Sequence, residues 1–139
     1  MPLVSIGLGL GRLGNFINGE LYGRVTDAPW GMVFPLSDGQ PRHPSQLYEA
    51  FLEGLVLFIL SYIILRKIKR HGVTFWSWIG GYGLFRFLVE YFREPDPQLG
   101  FIFNFITMGQ ILSSLMIIAA VLGLILLYKN KKGNELQTD

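Results

Sequence analysis

Cysteine is absent from the 139-residue chain, and charged residues are scarce. Without a thiol the chain forms no disulfide or thiolate metal site, so any nucleophilic cysteine must come from a partner. Charged residues make up 16% of the chain while half of it is hydrophobic, against about 25% charged in a soluble domain. This deficit indicates a membrane protein. The two histidines, His43 and His71, are too few and too far apart to suggest a metal site.

Three apolar segments are long enough to cross a bilayer, at about residues 47–65, 73–92 and 105–128. At about 1.5 Å per residue, each covers roughly the 30 Å hydrocarbon core as a helix. Helices satisfy their own backbone groups in lipid, and the alternation typical of barrel strands is missing. The sequence therefore predicts an all-α polytopic membrane protein, a single membrane domain with three transmembrane helices.

The remaining segments complete this predicted domain. Residues 1–24 are interpreted as a partial helix followed by a signature segment, and residues 25–46, rich in Pro and Gly, as a small cap on the outer face. Residues 129–139 are predicted to be a polar cytoplasmic tail, disordered from residue 133. The apolar stretch 3–10 is too short to cross. We interpret it as the end of a helix whose beginning is missing, which would make the chain a fragment; a re-entrant half-helix is the alternative.

Basic residues are concentrated in two short clusters. Seven of the twelve Lys and Arg residues lie within residues 66–70 and 129–132, each cluster following an apolar segment. The positive-inside rule places both clusters in the cytoplasm, which puts residues 12–46 and 93–104 on the outer face. Neither cluster has the interleaved aromatic residues of a single-strand binder, so no nucleic-acid partner is expected.

The densest group of chemically useful residues is the glycine-rich segment 9–24. Residues 9–14 satisfy G-x-G-x-x-G, but the dinucleotide-binding interpretation is rejected because no βαβ unit surrounds them. The glycines allow close approach to a helix or a ligand, and Arg12 and Arg24 offer planar forks suited to phosphate. Asn15, Asn18 and Glu20 provide further hydrogen-bond donors and acceptors within the same segment. The alternative is that the glycines are packing positions and the polar residues interfacial caps.

Tyr82, Arg86 and Glu90 are spaced four residues apart and share one face of the second predicted span. A charged side chain inside the bilayer usually faces protein, water or a polar ligand because it is costly to bury. Arg86 is predicted to lie about six residues, roughly 9 Å, inside the outer end of the span. An amphiphilic ligand with an anionic head group would explain why an arginine lies at this depth. A snorkelling arginine with an intrahelical salt bridge is the alternative.

A third group, residues 43–49, leads into the first span. Ser45 is a plausible N-cap, and Glu49 and Glu53 share a face. Glu49 is interpreted as a helix-start residue that complements the dipole. Glu53 lies deeper. Buried carboxylates need partners, for which Arg12 and Arg86 are candidates, and the sequence leaves the pairing open. A nucleophilic pair of Ser45 with His43 is a weaker alternative.

The fourth group, residues 93–96, follows the second span and reads as a polar loop stopped by proline. Arg93 in this loop would add positive charge to the field at the lipid head groups.

Taken in order, these motifs resemble one enzyme family. Residues 11–23 (GRLGNFINGELYG) resemble the signature of bacterial phosphatidylglycerol–prolipoprotein diacylglyceryl transferases. The runs 43–49 (HPSQLYE), 81–90 (GYGLFRFLVE), 93–96 (REPD) and 107–110 (TMGQ) follow in the family's order. The resemblance covers about residues 2–130.

The resemblance implies a multi-span enzyme of the bacterial inner membrane with its active site toward the outer face and its C-terminus in the cytoplasm. Such an enzyme moves the diacylglyceryl group of phosphatidylglycerol onto the lipobox cysteine of a prolipoprotein and releases glycerol 1-phosphate, the first step of lipoprotein maturation. The implied partners are phosphatidylglycerol, the lipobox peptide and membrane lipid. No metal or cofactor is implied.

The resemblance also implies roles for particular residues. Arg12 and Arg86 correspond to the essential arginines. Asn15 and Gly23 belong to the signature site, and Glu20, Tyr82 and Glu90 support that site. The candidate catalytic residues are therefore Arg12, Asn15, Glu20 and Arg86, and the candidate substrate-binding residues are Asn18, Gly23, His43, Tyr82 and Glu90.

One part of the family pattern has no match here. The family has an N-terminal half with further spans and a histidine in a His-Gly-Gly motif, so the chain resembles the C-terminal half alone. The missing N-terminal half is then an expected partner. The alternative is a truncated, catalytically inactive membrane fragment that binds anionic lipid.

Overall fold

The computed structural model describes residues 1–94, 101–102 and 106–135, and most of them are helical. The helices are α1 (Pro2–Ile17), α2 (Ser45–Glu49), a π-helical segment (Ala50–Val56), α3 (Leu57–Lys67), α4 (Val73–Val89) and α5 (Met108–Glu135). Two short strands, β1 (Phe101–Ile102) and β2 (Ile106–Thr107), pair antiparallel. The helical prediction is thus confirmed, with this small pair as an addition.

Two helices are long and apolar enough to cross a membrane. The α2, π-helical and α3 segments run without a break from Ser45 to Lys67, over 23 residues, and α5 provides 22 residues from Met108 to Lys129. α1 is apolar but shorter. The predicted boundaries differ at both ends of α5: it begins at Met108, residues 103–105 lie outside the described part, and it continues to Glu135. The prediction of a disordered tail was therefore wrong for residues 133–135, while 136–139 are not described.

The second predicted span is shorter than expected. α4 ends at Val89 after 17 residues, and the chain turns through Tyr91 and Phe92. It then forms an isolated antiparallel bridge between Arg93 and Gly23, which carries it away from the helix axis. Arg86 consequently lies in the last turn of α4, and the predicted depth of six residues was wrong.

α1 extends further than the predicted partial helix and includes Gly11 and Gly14 of the signature segment. It crosses the π-helical segment at the closest point of approach between Gly9 and Gly54. A Cβ on Gly54 would lie 2.7 Å from the Gly9 Cα, so no larger residue fits without moving a backbone. Because Arg12 lies one turn further along α1, this crossing fixes the position of Arg12 along the helix bundle.

Residues 25–44 contain no helix and are joined by single bridges, including those of Arg42 with Val25 and with Met32. Phe34 is buried against the rings of Phe16 and Tyr22, at centroid distances of 6.1 and 5.4 Å. The turn-rich character predicted for residues 25–46 is thus found over 25–44, while Ser45 and Gln46 already belong to α2. Phe34 anchors it to α1, so this ring lies inside rather than at an exposed interface.

The basic clusters lie together at one end of the molecule. α4 packs along α5 through its glycines, and Gly83, for example, faces the backbone of Ser113. At the far end the Arg70 guanidinium donates to the Leu127 carbonyl and lies 4.9 Å from the centre of the Tyr128 ring. The start of α2, the end of α4 and the start of α5 are therefore at the opposite end.

Candidate active site

Glu49 is the centre of a buried cluster of charges at that opposite end. Its side chain is 1% exposed. Arg12 Nε lies 2.5 Å from Oε2, while Arg86 Nη1 and Arg93 Nη1 lie 3.4 and 3.5 Å from Oε1. Three guanidinium groups from α1, from α4 and from the segment after α4 thus surround one carboxylate.

Gly23 positions the third of these arginines. The Gly23 backbone donates to the His43 carbonyl at 2.9 Å and bridges to Arg93. A Cβ here would lie within 3 Å of the Phe92 carbonyl oxygen and of His43, so only glycine fits. The Arg24 Nε donates to the Arg93 carbonyl at 2.6 Å. These contacts hold Arg93 against the end of α2.

Glu90 is the second carboxylate of the cluster. Arg86 Nη2 lies 3.4 Å from its Oε2, and Arg93 Nε lies 4.0 Å from the same atom. Thr107 Oγ1 donates to Glu90 Oε1 at 3.0 Å. The carboxylate lies against Gly109, in the first turn of α5, where a negative charge is favoured by the helix dipole. The predicted shared face of Arg86 and Glu90 is confirmed, and the intrahelical salt bridge of the alternative interpretation is also present.

Thr107 and Gln110 form a capping box that starts α5. The Gln110 backbone donates to Thr107 Oγ1 at 3.3 Å, and the Thr107 backbone donates to Gln110 Oε1 at 3.2 Å. Each side chain therefore satisfies a free N–H of the first turn. Because the Thr107 hydroxyl also holds Glu90, the start of α5 is built into the site.

The cluster retains unused hydrogen-bonding capacity. Within the described residues, Arg86 Nη1 has no hydrogen-bond acceptor, and the Arg12 Nε–Glu49 Oε2 pair lies at ion-pair distance without hydrogen-bond alignment. The three arginines exceed the paired carboxylates Glu49 and Glu90 by one formal charge. Burial, and next the neighbouring Arg86 charge, lower the pKa of Arg93 below its ordinary value, but a guanidinium remains protonated. Such a site is suited to an anionic oxygen.

Glu53 lies one turn below Glu49, where the helix is π-helical. The residue is 0% exposed, and neither carboxyl oxygen has a hydrogen-bond partner in the part of the chain that the structure describes. A π-helical turn is frequent at functional sites. The candidate partners Arg12 and Arg86 form ion pairs with Glu49 rather than with Glu53.

Tyr82 faces the bundle interior through a stacked pair. Its ring lies 5.5 Å from that of Trp78, with 7° between the planes. Trp78 Nε1 donates to the buried Ser5 hydroxyl at 2.8 Å, which joins α4 to α1. Tyr82 lies one turn before Arg86 on α4, and its predicted role in substrate binding stays a prediction.

The polar residues after Arg12 lie at the periphery. Asn18 and Glu20 are exposed, and Asn15 is half-buried beside Arg12. The Glu20 carbonyl accepts a hydrogen bond from Gln46 Nε2 at 2.6 Å. In the described segments no ion pair or side-chain hydrogen bond brings Asn15, Asn18 or Glu20 to Glu49, so their roles stay predictions.

His43 belongs to an aromatic group, not to a nucleophilic pair. Its Nδ1 lies 3.1 Å from the Tyr48 hydroxyl, and its ring lies edge-on to Phe92 at 5.2 Å. The Ser45 hydroxyl donates to the Leu21 carbonyl at 3.3 Å. The Ser45–His43 hypothesis was therefore wrong. Ser45 is also the first residue of α2 rather than its N-cap, a position taken by Pro44.

Comparison with known proteins assigns the family. The family model described as prolipoprotein diacylglyceryl transferase matches residues 1–126. The chain belongs to the prolipoprotein diacylglyceryl transferase family.

Bacterial relatives named phosphatidylglycerol–prolipoprotein diacylglyceryl transferase are similar over most of the chain. The relative from Geobacter sulfurreducens is 58% identical over 132 residues, covering 95% of this chain and 51% of its own length. The relative from Photobacterium profundum is 60% identical over 128 residues, covering 92% and 48%. The relative from Vibrio vulnificus strain CMCP6 is 62% identical over 120 residues, covering 86% and 44%. The chain thus spans about half the length of the curated relatives it matches.

For this member of the transferase family, sequence reasoning missed the central residue. Glu49 was interpreted as a dipole-complementing residue, and that was wrong because it holds three arginines that are distant in sequence. Thr107 and the direct role of Arg93 were also missed. The T-x-x-Q spacing at 107–110 was a usable signal for the cap. No local signal indicates which arginines meet Glu49.

Proposed function

We propose that the chain forms part of an enzyme that transfers the diacylglyceryl group of phosphatidylglycerol to the lipobox cysteine thiol of a prolipoprotein. The observation that carries the proposal is the meeting of Arg12 and Arg86, from separate helices, at Glu49. Such a pair of forks suits a phosphodiester. The family and the relatives' printed names supply the substrate classes.

The proposed membrane arrangement has three transmembrane helices, with α4 as the short middle span. The contact of Arg70 with Tyr128 supports placing both basic clusters on the cytoplasmic face of a bacterial inner membrane. The Glu49 cluster, at the other end, would then lie near the outer head groups, under a cap formed by residues 25–46. A short α4 is compatible with spanning because polar ends can reach the interface and the bilayer can thin locally.

In the proposed reaction the lipobox sulfur attacks the glyceryl carbon that carries the phosphate. A carbon–sulfur bond forms, the carbon–oxygen bond to phosphate breaks with its electron pair moving to that oxygen, and glycerol 1-phosphate leaves. Arg12, Arg86 and Arg93 stabilise the charge that develops on the departing phosphate. They can do so without reorganising because Glu49 and Glu90 already hold them in place.

The thiol proton must go to a base. Glu90 is a poor choice among the candidates because two arginines and Thr107 stabilise its carboxylate. Glu20 is exposed and free of such contacts within the described residues. We assign the base to the polypeptide that corresponds to the unmatched half of the relatives, where the resemblance implies a histidine.

The test combines this chain with that unmatched half in membranes and measures transfer from labelled phosphatidylglycerol to a lipobox peptide. Arg86→Lys keeps the charge but loses the fork, and removal of one such donor lowers turnover by about 100-fold in comparable sites. The matched control is Arg66→Lys, at the opposite end, which should retain full turnover. Unchanged turnover in Arg86→Lys would contradict the clamp. Binding of the lipid without any transfer by the wild type would favour the inactive lipid-binding alternative.

A further inference from the structure

Three side chains form a hydrogen-bonded series that joins the segment 25–44 to α2. Trp30 Nε1 donates to the Tyr48 hydroxyl oxygen at 2.8 Å, and that oxygen lies 3.1 Å from His43 Nδ1. Trp30 and His43 belong to the segment, while Tyr48 lies in α2. His43, a predicted substrate-binding residue, is thus the last member of the series.

The series determines which nitrogen of His43 carries the proton. An indole nitrogen can only donate, so the Tyr48 oxygen accepts from Trp30 and keeps its own proton for a further bond. Within the described residues, His43 Nδ1 is the acceptor for that proton. A proton on Nδ1 would leave the Tyr48 hydroxyl without an acceptor in the same part of the chain. Both donors are therefore satisfied only when Nδ1 is unprotonated, which places the ring proton on Nε2.

The backbone on both sides of the His43 ring is also fixed. The His43 N–H donates to the Arg24 carbonyl, and the Gly23 N–H donates to the His43 carbonyl, each at 2.9 Å. Gly23 is the position that bridges to Arg93 and where only glycine fits. His43 therefore cannot swing away without breaking the contacts that position Arg93.

The ring lies next to the charge cluster with one nitrogen unused. It lies edge-on to Phe92, which directly precedes Arg93, and it is hydrogen-bonded to Tyr48, which directly precedes Glu49. Nε2 makes no hydrogen bond within the described residues and is not among their enclosed, unsatisfied polar atoms. A fixed and accessible N–H beside the cluster is a binding group that can receive an acceptor from a substrate.

We infer that His43 Nε2–H donates to a backbone carbonyl of the lipobox peptide, an inference that rests on the proposed function, and that Tyr48 and Trp30 are positioning residues for this bond. His43 precedes α2, which begins at Ser45 and runs toward the basic clusters. His43 therefore lies beyond Glu49, on the side away from those clusters. In the proposed membrane arrangement this is the outer side, where the cap lies and the peptide enters.

Two other roles fit His43 less well. The phosphate of phosphatidylglycerol is assigned to the arginines at Glu49, and its ester carbonyls lie on the tail side of that phosphate, further from His43. An N–H on an uncharged ring suits a peptide carbonyl and adds no charge to a cluster that already has an excess of cations. A thiol base needs a free lone pair, but Nδ1 is occupied by Tyr48 and Nε2 carries the proton.

Nitrogen-15 NMR of the imidazole rings tests the positioning without measuring transfer. The full chain, labelled at histidine, is combined with the unmatched half of the Geobacter sulfurreducens relative, and His71→Gln identifies the signals of His43. The wild type should show an unprotonated Nδ1 and a protonated Nε2. Tyr48→Phe should give a mixture of the two tautomers, whereas Tyr62→Phe in α3 is the matched control and should change nothing. A proton on Nδ1 in the wild type, or an unchanged tautomer in Tyr48→Phe, would overturn the inference.

Equilibrium binding of a lipobox peptide with serine in place of cysteine tests the ligand. His43→Leu should weaken peptide binding by about three- to tenfold, as expected for one hydrogen bond, and change phosphatidylglycerol binding by less than about twofold. His43→Gln places an amide N–H near the position of Nε2 and should recover most of the affinity.

Three results of this binding experiment would refute the peptide contact. They are undiminished peptide binding by His43→Leu, a loss of phosphatidylglycerol binding in its place, and no recovery by His43→Gln. Because neither the NMR nor the binding experiment requires turnover, a complex that binds the peptide without transferring the lipid group contradicts the proposed function alone.

Discussion

Arg12 and Arg86 lie on different helices, yet their guanidinium groups contact the two oxygens of one carboxylate. Arg12 Nε meets Glu49 Oε2 at 2.5 Å, and Arg86 Nη1 meets Oε1 at 3.4 Å. Glu49 is fully buried, so it fixes the distance between two cations that would otherwise repel each other. A phosphate entering this site would therefore meet arginines that are already oriented.

Removal of the central carboxylate should destabilise the protein strongly. Glu49→Gln leaves three arginines in a buried place without their shared partner, and breaking a buried ion pair costs about 3–5 kcal/mol. Thermal unfolding in detergent, compared with the wild type, measures the change. Glu94→Gln is the control, because Glu94 pairs with Arg42 while 45% exposed and should cost less than about 1 kcal/mol. Equal effects of the two substitutions would contradict the central position of Glu49.

Gly23→Ala should disturb the position of Arg93. The new methyl group would overlap the Phe92 carbonyl and His43, so the backbone must move, at a cost of about 1–3 kcal/mol. Gly14→Ala in the chain alone is the matched control. It is in an open helical position and should be neutral or raise stability by about 0.5–1 kcal/mol. Melting temperatures of both variants provide the comparison, and a harmless Gly23→Ala would show that the close approach is not required.

The hydroxyl of Thr107 should matter more than its methyl group. Thr107→Val removes the hydrogen bond to Glu90 and the cap of α5, which we expect to cost about 1–3 kcal/mol because buried partners lose their bonds. It should also lower transfer activity by loosening Glu90. Thr107→Ser keeps the hydroxyl and should behave nearly as the wild type. If the serine variant fails as badly as the valine variant, packing rather than hydrogen bonding explains the residue.

The segment 25–44 should loosen in acid through Asp38. Its hydrogen bond with Arg42, followed by that with the Gln40 backbone, lowers the pKa of Asp38 from its ordinary 3.8. A carboxyl with a lowered folded-state pKa stabilises the fold above its unfolded value and loses that contribution as pH falls through the folded value. The protection of the Met32 and Arg42 amides, measured as exchange relative to the intrinsic rate at each pH, should therefore fall as pH falls below 3.8.

Asp38→Asn provides the control for this pH dependence. The variant lacks the titrating group, so the acid-induced loss of protection should disappear, while protection at neutral pH is already lower than in the wild type. An identical acid response in the variant and the wild type would assign the effect to another group.

The lengths of the apolar segments predicted the helices, because a helix needs about 20 apolar residues to cross a bilayer. Local spacing also predicted that Arg86 and Glu90 share a face, since i, i+4 is a property of a single helix. The ends of helices were less predictable. α4 stops at Val89 because Arg93 pairs with Gly23, a residue 70 positions earlier that no window around α4 contains.

The centre of the site could not be predicted for the same reason. Glu49 is at the start of a helix, where an acidic residue is ordinary. Its importance depends on arginines from α1 and α4. The crossing at Gly9 and Gly54 is what brings Arg12 of α1 to Glu49. By contrast, Glu20 and Asn18 were predicted as site residues partly because they are close to Arg12 in sequence. Both side chains are exposed and lie at the periphery of the described structure.

The most direct measurement is equilibrium binding of labelled phosphatidylglycerol to the full chain, together with the unmatched half of a relative, in nanodiscs of neutral lipid. The wild type should prefer phosphatidylglycerol to phosphatidylcholine. Arg12→Gln and Arg86→Gln should each weaken binding about tenfold or more, because a charge-assisted bond to a phosphate contributes about 1.5–3 kcal/mol. Arg66→Gln, at the opposite end, should bind as the wild type does. Undiminished binding by both Arg12→Gln and Arg86→Gln would contradict a phosphate site at the Glu49 cluster.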